Sequence, residues 1–507
     1  MTASPWTIAA IVLYFAAMIA IGLFAFRRTE DHDDYMLGGR SLSPFVAALS
    51  AGAADMSGWL LMGLPGALYV AGLVESWIAI GLTVGAWLNW KFVAPRLRVY
   101  TQAVGAITVP TFFENRTHDR SRLLRIVSGL VILVFFTFYV SSGMVAGGVF
   151  FQSSFGTTYQ AGMLIVAGVT LLYTLFGGFL GATYTDVVQG CIMVISLLMV
   201  PAFAIAAVGG FGPMVDSVTQ VNAEFASLTQ GATVIGVVSS LAWGLGYFGQ
   251  PHIIVRFMAL RNAEEAKQGR WIGIGWMILS VGGAILTAMA GIAYFHQHPE
   301  QKLTDPEAVF LDLSQILFHP FFAGIVLSAV LAAIMSTMSS QMVVTSSALI
   351  EDLLRIISHR EYSKSGQLWL GRVGVLIIAV VATVLAWARN ETILDLVGFA
   401  WAGFGGAFGP IVLLSLWWPK LTNWGAITGM VAGAVTVFVW GRFEPDVALG
   451  WLPEHLYEIV PGFLICLVLA VVVSLLTNKH DPAIEREFNE STRRLRRFEE
   501  TTADQAA

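Results

Sequence analysis

A single acidic residue, Asp55, lies in the middle of an apolar stretch that is long enough to cross a membrane. The stretch covers residues 44–70, and positions 50–65 read SAGAADMSGWLLMGLP. An ionised Asp at the centre of a spanning helix costs about 3 kcal/mol on insertion scales. The small residues after it predict a break in the helix, where backbone carbonyls can face a cavity. We therefore expect Asp55 to serve as a cation counter-charge or as the partner of a substrate amine. The alternative is a cap for the broken helix.

Two adjacent hydroxyls, Ser336 and Thr337, form a second candidate site. They lie in LSAVLAAIMSTMSSQMVVTSS at positions 327–347. Hydroxyl oxygens suit small hard cations, and with the carbonyls of a broken helix they could complete a sodium shell. Alternatively, these side chains bond the preceding helical turn or pack helix against helix.

A third set of residues is aromatic and lies at mid-span, where a polar aromatic tip favours a cavity wall. Its members are Tyr139, Trp243 and Tyr247, with Pro251 closing the segment. Packing alone is the alternative. Arginine is predicted to be absent from the spans except at boundary positions such as Arg372, so we expect a neutral or zwitterionic solute.

These residues must be positioned by membrane-spanning helices. The 507-residue chain is 56% hydrophobic and 12% charged, whereas soluble domains are about 25% charged. The first apolar run lacks a basic leader and a cleavage site, which predicts a retained helix. Thirteen runs reach the length of about 20 residues that a span requires: 5–26, 44–70, 74–95, 124–150, 161–181, 187–209, 232–254, 271–295, 319–346, 368–388, 395–418, 423–441 and 459–477.

The positions of Lys and Arg predict the orientation of the chain. With the N-terminus outside, only Lys302, Arg389 and Arg442 lie outside, which leaves 25 of the 28 basic residues inside. Arg256 is assigned to an inner loop, and Asp186 to a helix boundary. The expected domains are a membrane domain over 1–478 and a charged cytoplasmic tail over 479–507.

Two interrupted helices predict an internal repeat. GAADMSGW in the second predicted span and SSLAWGLGYFGQP in the seventh are five spans apart. An odd spacing inverts the second unit, and paired interrupted helices of this kind mark midplane binding sites. The predicted repeats are spans 2–6, residues 44–209, and spans 7–11, residues 232–418. Spans 1, 12 and 13 would be peripheral.

Long motifs in the chain resemble the solute:sodium symporter family, which has the LeuT-type inverted-repeat fold, and especially its proline-carrying members. The resemblance extends from the first span to about position 476. It rests on DDYMLGGRSLSPF, LSAGAADMSGWLLMGLPGALY, ESWIAIGLTVGAWLNWK, WGLGYFGQPHIIVRFMA and LSAVLAAIMSTMSSQ. The sequence MSTMSSQ stands where those members have MSTLSCQ, and the Ser-Thr pair is retained.

The resemblance implies roles for individual residues. The implied sodium site would use backbone carbonyls of the broken helix, at Ala53 and Met56, and groups of the ninth span, at Ala333, Ser336 and Thr337. Asp55 would be the carboxylate near this site. The implied substrate residues are Ser57, Gly58, Trp59, Tyr139, Trp243, Tyr247 and Pro251. Arg40 and Asp186 match positions linked to coupling.

The function implied by the resemblance is Na+-coupled uptake of L-proline across a bacterial cytoplasmic membrane by alternating access. The alternatives are the same fold carrying another small neutral or zwitterionic solute, and a channel or transporter-like receptor. No HExxH, Walker A or GxSxG motif is present, so no enzyme is expected. The expected partners are Na+, L-proline and the lipid bilayer, with no nucleic acid and no obligate protein partner.

Overall fold

The computed structural model describes residues 4–27, 37–354, 356, 363–389, 391–477 and 481–504. In these ranges the chain is helical and has no strand, although Leu42 and Leu260 form an isolated parallel bridge. Residues 1–3 of the predicted membrane domain, 33–36 of the first family motif and 479, 480 and 505–507 of the predicted tail lie outside the described residues.

The α-helices of the described residues are joined by short 3-10 and π turns. In chain order they are α1 Pro5–Phe26, α2 Pro44–Asp55, α3 Leu64–Ala71, α4 Ser76–Leu88, α5 Ala94–Ala103, α6 Val109–Thr117, α7 Leu123–Phe155, α8 Tyr159–Ala207, α9 Phe211–Val221, α10 Val234–Ala242, α11 Pro251–Met258, α12 Glu265–Gln297, α13 Val309–Leu317, α14 Pro320–Ser347, α15 Lys364–Leu385, α16 Ile393–Trp417, α17 Asn423–Phe443, α18 Pro445–Ala448, α19 Ile459–Thr477 and α20 Pro482–Asp504.

Nine helical stretches of the described residues are long and apolar enough to cross a membrane. Val234–Phe248 and Trp369–Leu385 are shorter apolar helices. The all-helical class is therefore confirmed, whereas the number of thirteen spans stays a prediction. The central helices are α14 and α16, whose apolar windows are 83% buried, against 33% for α1 and α19.

One predicted loop is helical in the structure. The predicted span 161–181 and residues 187–207 of the next one lie within α8, and the backbone departs from helical geometry at Gly178, with φ 54° and ψ −147°. Glycine adopts this positive φ without a Cβ clash, so the helix bends before the predicted loop rather than in it.

The first interruption predicted from the sequence falls in the stretch that contains Asp55. Helix α2 ends at Asp55, and Met56 has φ −80° and ψ 77°, which is not helical. The chain resumes as a π turn over Trp59–Gly63 before α3 begins. The two helical halves are thus separated by a short segment whose backbone groups are free of the regular α-helical pattern.

The second interruption separates α10 from α11. Trp243–Phe248 is a 3-10 helix, and Pro251 begins α11, where its missing N–H costs no helical hydrogen bond. A Cβ on Gly244 would lie 2.3 Å from the carbonyl oxygen of Gly81, so glycine is required for the close approach to α4. This packing holds the second interruption beside α4.

Candidate functional site

A group of oxygen atoms lies where α14 crosses the end of α2. The hydroxyl of Ser336 donates to the carbonyl of Ala53 at 2.7 Å and to that of Ala333 at 3.1 Å. The hydroxyl of Thr337 lies 3.4 Å from the same Ala53 carbonyl. The four residues expose no more than 1% of their surface. Neutral hard oxygens gathered in this way suit Na+, since hydroxyl and carbonyl oxygens can turn their lone pairs to a cation.

Met56 also lies at this interruption. It is 1% exposed, and its non-helical ψ of 77° turns its carbonyl away from the regular helical direction. The next three residues of the break, Ser57, Gly58 and Trp59, are also buried. A Cβ on Gly58 would lie 2.8 Å from that of Ala146 in α7, so the break is packed closely on this side.

Asp55 joins the two interruptions. Its carboxylate accepts a hydrogen bond from the hydroxyl of Tyr247, which lies in the 3-10 segment between α10 and α11. The second carboxylate oxygen is buried without a hydrogen-bond partner among the described residues. The backbone of the break is satisfied separately, because the Asp55 carbonyl accepts from the N–H of Ser57 at 3.0 Å. The side chain therefore links helices rather than capping its own.

Asn89 is a neighbour of this pair that the sequence analysis missed. Its side-chain amide donates to the Tyr247 carbonyl at 2.9 Å, and its own side-chain oxygen is buried without a partner among the described residues. Asp55, Asn89 and Tyr247 line a cavity of about 20 Å³, together with Met56 and apolar side chains. A space of this size holds one water molecule or one small cation.

The predicted substrate residues do not share one cavity in this conformation. Tyr247 lines the small cavity beside Asp55, Trp243 lines a large one, and Pro251 lines a third, also of about 20 Å³. The Tyr139 ring lies 5.8 Å from that of His252, and its buried hydroxyl has no hydrogen-bond partner among the described residues. Among these four side chains and that of Asp55, the described part of the chain shows one direct hydrogen bond, between Asp55 and Tyr247.

Trp401 in α16 connects Trp243 with Tyr247. Its indole N–H donates to the Trp243 carbonyl at 2.7 Å, and its ring meets that of Tyr247 edge-on at 5.1 Å. The second interruption is thereby held at both ends by one side chain. The sequence analysis did not identify this contact.

The large cavity lies on the side of the molecule that carries Arg442 and His455. It measures about 790 Å³ and reaches down to Ser141 and Trp243. Its walls include charged side chains of both signs, which are Glu391, Asp395, Arg442, Glu444, His455 and Glu458. A polar opening that narrows to an aromatic floor suits a small solute with both charges.

The connection between α18 and α19, residues 449–458, borders this cavity. His455 lies 3.1 Å from the carboxylate of Asp446 and 3.7 Å from that of Glu458. The nearby carboxylate of Glu458, followed by the hydrogen bond to Asp446, raises the pKa of His455 to about 9 despite partial burial. His455 is therefore a cation at neutral pH and ties this connection to α18.

Asp186 forms a buried ion pair that connects several helices. Its carboxylate lies 3.2 Å from the guanidinium of Arg256 in α11 and accepts from the hydroxyl of Ser50 in α2 at 2.7 Å. Arg256 also donates to the hydroxyl of Ser340 in α14 at 2.6 Å. Both broken helices thus meet α8 and α14 at this cluster.

Two sequence expectations are corrected here. Asp186 lies within α8 rather than at a boundary, and Arg256 is 1% exposed rather than in an inner loop. A paired arginine is tolerated in the protein interior because its charge is neutralised and its donors are satisfied. An Asp and an Arg in otherwise apolar runs could have indicated an ion pair. The two residues are 70 positions apart, so the sequence does not show that they pair.

Arg40 joins separate segments at the opposite side from the large cavity. Its guanidinium donates to the carbonyl of Met258 at 2.8 Å and to that of Ala106 at 2.6 Å, and its backbone is left-handed at φ 54°. Two residues later, the N–H of Leu42 donates to the Ala259 carbonyl at 3.1 Å. These contacts tie the segment before α2 to residues at or just after the ends of α5 and α11.

The tail helix α20 packs against α5. Phe488 lies under the guanidinium of Arg116, 5.3 Å from ring centre to carbon, and Leu495 is buried against Val99 and Ala263. His118 contacts Glu487 at 3.0 Å. The tail is thus a docked helix in its described residues.

Comparison with protein families places most of the chain in one group. Residues 35–433 match the model of the Sodium:solute symporter family. The chain is 54% identical to the high-affinity proline transporter PutP of Bacillus subtilis over 93% of this chain and 98% of that one. It is 49% identical to the sodium/proline symporter of Escherichia coli over 94% of this chain and 95% of that one.

The fold also has a solved counterpart. A Na+-coupled sialic acid symporter in a substrate-bound outward-open state superposes with a TM-score of 0.80 at 17% identity, covering 94% of this chain and 99% of that one. At this identity the likeness concerns the fold alone.

Proposed function

The chain belongs to the sodium:solute symporter family, and we propose that it takes up L-proline together with Na+. The contact of Ser336 and Thr337 with the Ala53 carbonyl carries this proposal, because it assembles neutral oxygens beside a broken helix. Proline follows from the relatives named as proline transporters, at 54% and 49% identity over nearly the whole chain.

Na+ would bind between α2 and α14. Its ligands would be backbone carbonyls of Ala53, Met56 and Ala333 and the hydroxyls of Ser336 and Thr337. The ion would fix the end of α2, and with it Asp55, whose carboxylate holds Tyr247. Sodium binding thus orders both interruptions at once.

Proline would bind between these interruptions. Its ring needs apolar walls, which Tyr139, Trp243, Tyr247 and Pro251 supply, and its two charged ends need the polar groups that the breaks expose. Ser57, Gly58 and Trp59 belong to the same interruption as the sodium ligands. Because both ligands favour the same closed arrangement of the breaks, each raises the affinity for the other.

Transport then requires alternating access to this site. The cavity of about 790 Å³ would admit solute from the outside, and the contacts of Arg40 and Leu42 would close the inside. One charge that moves through 100 mV yields about 2.3 kcal/mol, which supports about 50-fold accumulation. The electrical part of the gradient is therefore sufficient to concentrate proline.

The membrane arrangement is part of the proposal. We place thirteen spans in a bacterial inner membrane, with the N-terminus outside and the C-terminal tail in the cytoplasm. Spans 2–6 and 7–11 form inverted repeats, and the two interruptions occupy matching places in them. Asp186 and Arg40 join these repeats and couple the site to the inner side.

Uptake of labelled L-proline into proteoliposomes tests the function. We expect concentrative uptake under an inward Na+ gradient and none under a matched K+ gradient. Uptake that does not depend on Na+ would remove the ion assignment, and absence of proline uptake by folded protein would remove the substrate. An imposed voltage, negative inside, is expected to increase the accumulation.

A further inference from the structure

The floor of the large cavity contains an aromatic pair whose members come from distant parts of the chain. The ring of Tyr457 stacks on that of Trp243 with centres 5.2 Å apart and planes inclined by 21°. Trp243 begins the interruption between α10 and α11, whereas Tyr457 lies just before α19, in the predicted peripheral part. Both line the cavity, yet both are over 90% buried.

Tyr457 is fixed from two sides. Its hydroxyl donates to the carbonyl of Gly398 in α16 at 2.7 Å, and its backbone N–H donates to the hydroxyl of Ser239 in α10 at 3.0 Å. A Cβ on Gly398 would lie 3.2 Å from the Trp243 ring and 3.8 Å from the Tyr457 hydroxyl. The bare backbone of Gly398 therefore lets the pair settle against α16.

The pair is linked to the groups around Asp55 through the 3-10 segment that begins at Trp243. Tyr247 follows Trp243 in the same 3-10 segment and reaches the Asp55 carboxylate, and Trp401 touches both ends of that segment. The pair therefore borders the large cavity and is connected through this segment to Asp55.

We propose that Tyr457 is a specificity-determining residue, which holds Trp243 as the roof of the substrate pocket and so sets the ring size of the cyclic amino acid that is carried. The inference rests on the proposed proline transport. The Tyr457 ring occupies the space into which Trp243 would otherwise move, so the height of the pocket is fixed by a residue outside the two interruptions. Removing that ring lets the roof rise and admits a larger solute.

Competition by saturated cyclic imino acids tests the proposal. The experiment measures how strongly unlabelled imino acids with four-, five- and six-membered rings inhibit the uptake of labelled L-proline into proteoliposomes. One added methylene is discriminated by about 10-fold or more in a well-shaped pocket. In Tyr457→Ala we expect the preference for the five-membered over the six-membered ring to fall by about 2- to 12-fold. This range corresponds to the free energy that a stacked aromatic pair contributes.

Two further variants separate specificity from folding. Tyr457→Phe keeps the stack, and we expect it to retain the wild-type ring preference. Tyr457→Leu fills space without stacking and is expected to shift the preference in the same direction as Ala, which keeps the test open if the Ala variant does not fold. Trp451→Ala is the matched control, because Trp451 is 65% exposed in the same connection.

The outcomes are distinct for the function and for the inference. Loss of membrane insertion or folding lowers the uptake of labelled L-proline without changing the relative inhibition by the three homologues. Wild-type ratios in active Tyr457→Ala and Tyr457→Leu proteins would overturn the role of Tyr457 while leaving proline transport intact. No proline uptake by the wild-type protein would overturn the proposed function first.

Discussion

The guanidinium of Arg256 lies 3.2 Å from the carboxylate of Asp186, and the two side chains are 1% and 0% exposed. Ser50 and Ser340 complete the cluster, so α2, α8, α11 and α14 are joined by one group of hydrogen bonds. α2 and α11 are halves of the two broken helices. A rearrangement of either half must therefore change or carry along this ion pair.

Neutralising one member of the pair is expected to destabilise the protein more than neutralising both. Asp186→Asn leaves Arg256 as an uncompensated buried charge, and Arg256→Gln does the same to Asp186, at a cost of about 3–5 kcal/mol each. The double variant leaves no net charge and should recover much of the loss. Thermal unfolding of the detergent-purified proteins measures the three effects.

A matched exposed pair provides the control for this cycle. Arg442 is 66% exposed and contacts Glu391 at 3.5 Å, so Arg442→Gln should change stability by no more than about 0.5 kcal/mol. If the two buried substitutions were additive, Asp186 and Arg256 would not act as a pair.

The hydroxyls of α14 are expected to determine sodium affinity. Ser336→Ala and Thr337→Val each remove one hard oxygen next to the Ala53 carbonyl and keep the shape of the helix. A bond to a charged group is worth about 1.5–3 kcal/mol, which corresponds to a 10- to 100-fold higher half-saturating Na+ concentration. Proline uptake measured over a range of Na+ concentrations shows the shift.

Thr345→Val is the control for the α14 variants. The Thr345 hydroxyl is equally buried but donates to the Gln341 carbonyl of its own helix at 2.6 Å. Its removal should leave sodium dependence unchanged. Equal sodium constants in wild type, Ser336→Ala and Thr337→Val would remove the site from α14.

The charge of Asp55 can be separated from its hydrogen bond. Asp55→Asn keeps an oxygen that accepts from Tyr247 but removes the charge, whereas Tyr247→Phe keeps the charge and removes the donor. If Asp55 attracts the cation, the Asn variant should lose sodium affinity by about 10-fold or more, while the Phe variant loses less. Sodium-dependent proline uptake distinguishes them, and a fully active Asn variant would leave Asp55 a structural role only.

The sequence predicts the parts of the site that depend on rare residue types in apolar runs. Asp55 and the hydroxyls of Ser336 and Thr337 are polar groups in apolar runs, where they must find partners. In the structure both hydroxyls contact the carbonyl of Ala53, two residues before Asp55, and Asp55 accepts from Tyr247. Breaks are also readable, because small residues and Pro251 weaken helices locally. These features depend on neighbouring residues only, so they can be predicted from one sequence.

The missed residues depend on contacts between distant segments. Arg256 follows the broken helix and was assigned to a loop, since a charge near the end of an apolar run ordinarily marks the membrane surface. Its partner Asp186 lies 70 residues away. Tyr457 is an ordinary interface aromatic in sequence, and only its stacking on Trp243 distinguishes it.

The connection that carries Tyr457 is expected to loosen at alkaline pH. The carboxylates of Glu458 and Asp446 raise the pKa of His455 from 6.5 to about 9, so its charged form stabilises the fold fully below pH 6.5, and this contribution is lost as pH rises through 9. We expect the half-saturating proline concentration of the wild type to rise between pH 7 and 10, because Tyr457 is less firmly held above Trp243. His455→Gln should show a higher value at pH 7 and less change with pH, and comparing the two proteins removes titrations they share. Identical pH profiles in both proteins would contradict a role for the His455 charge.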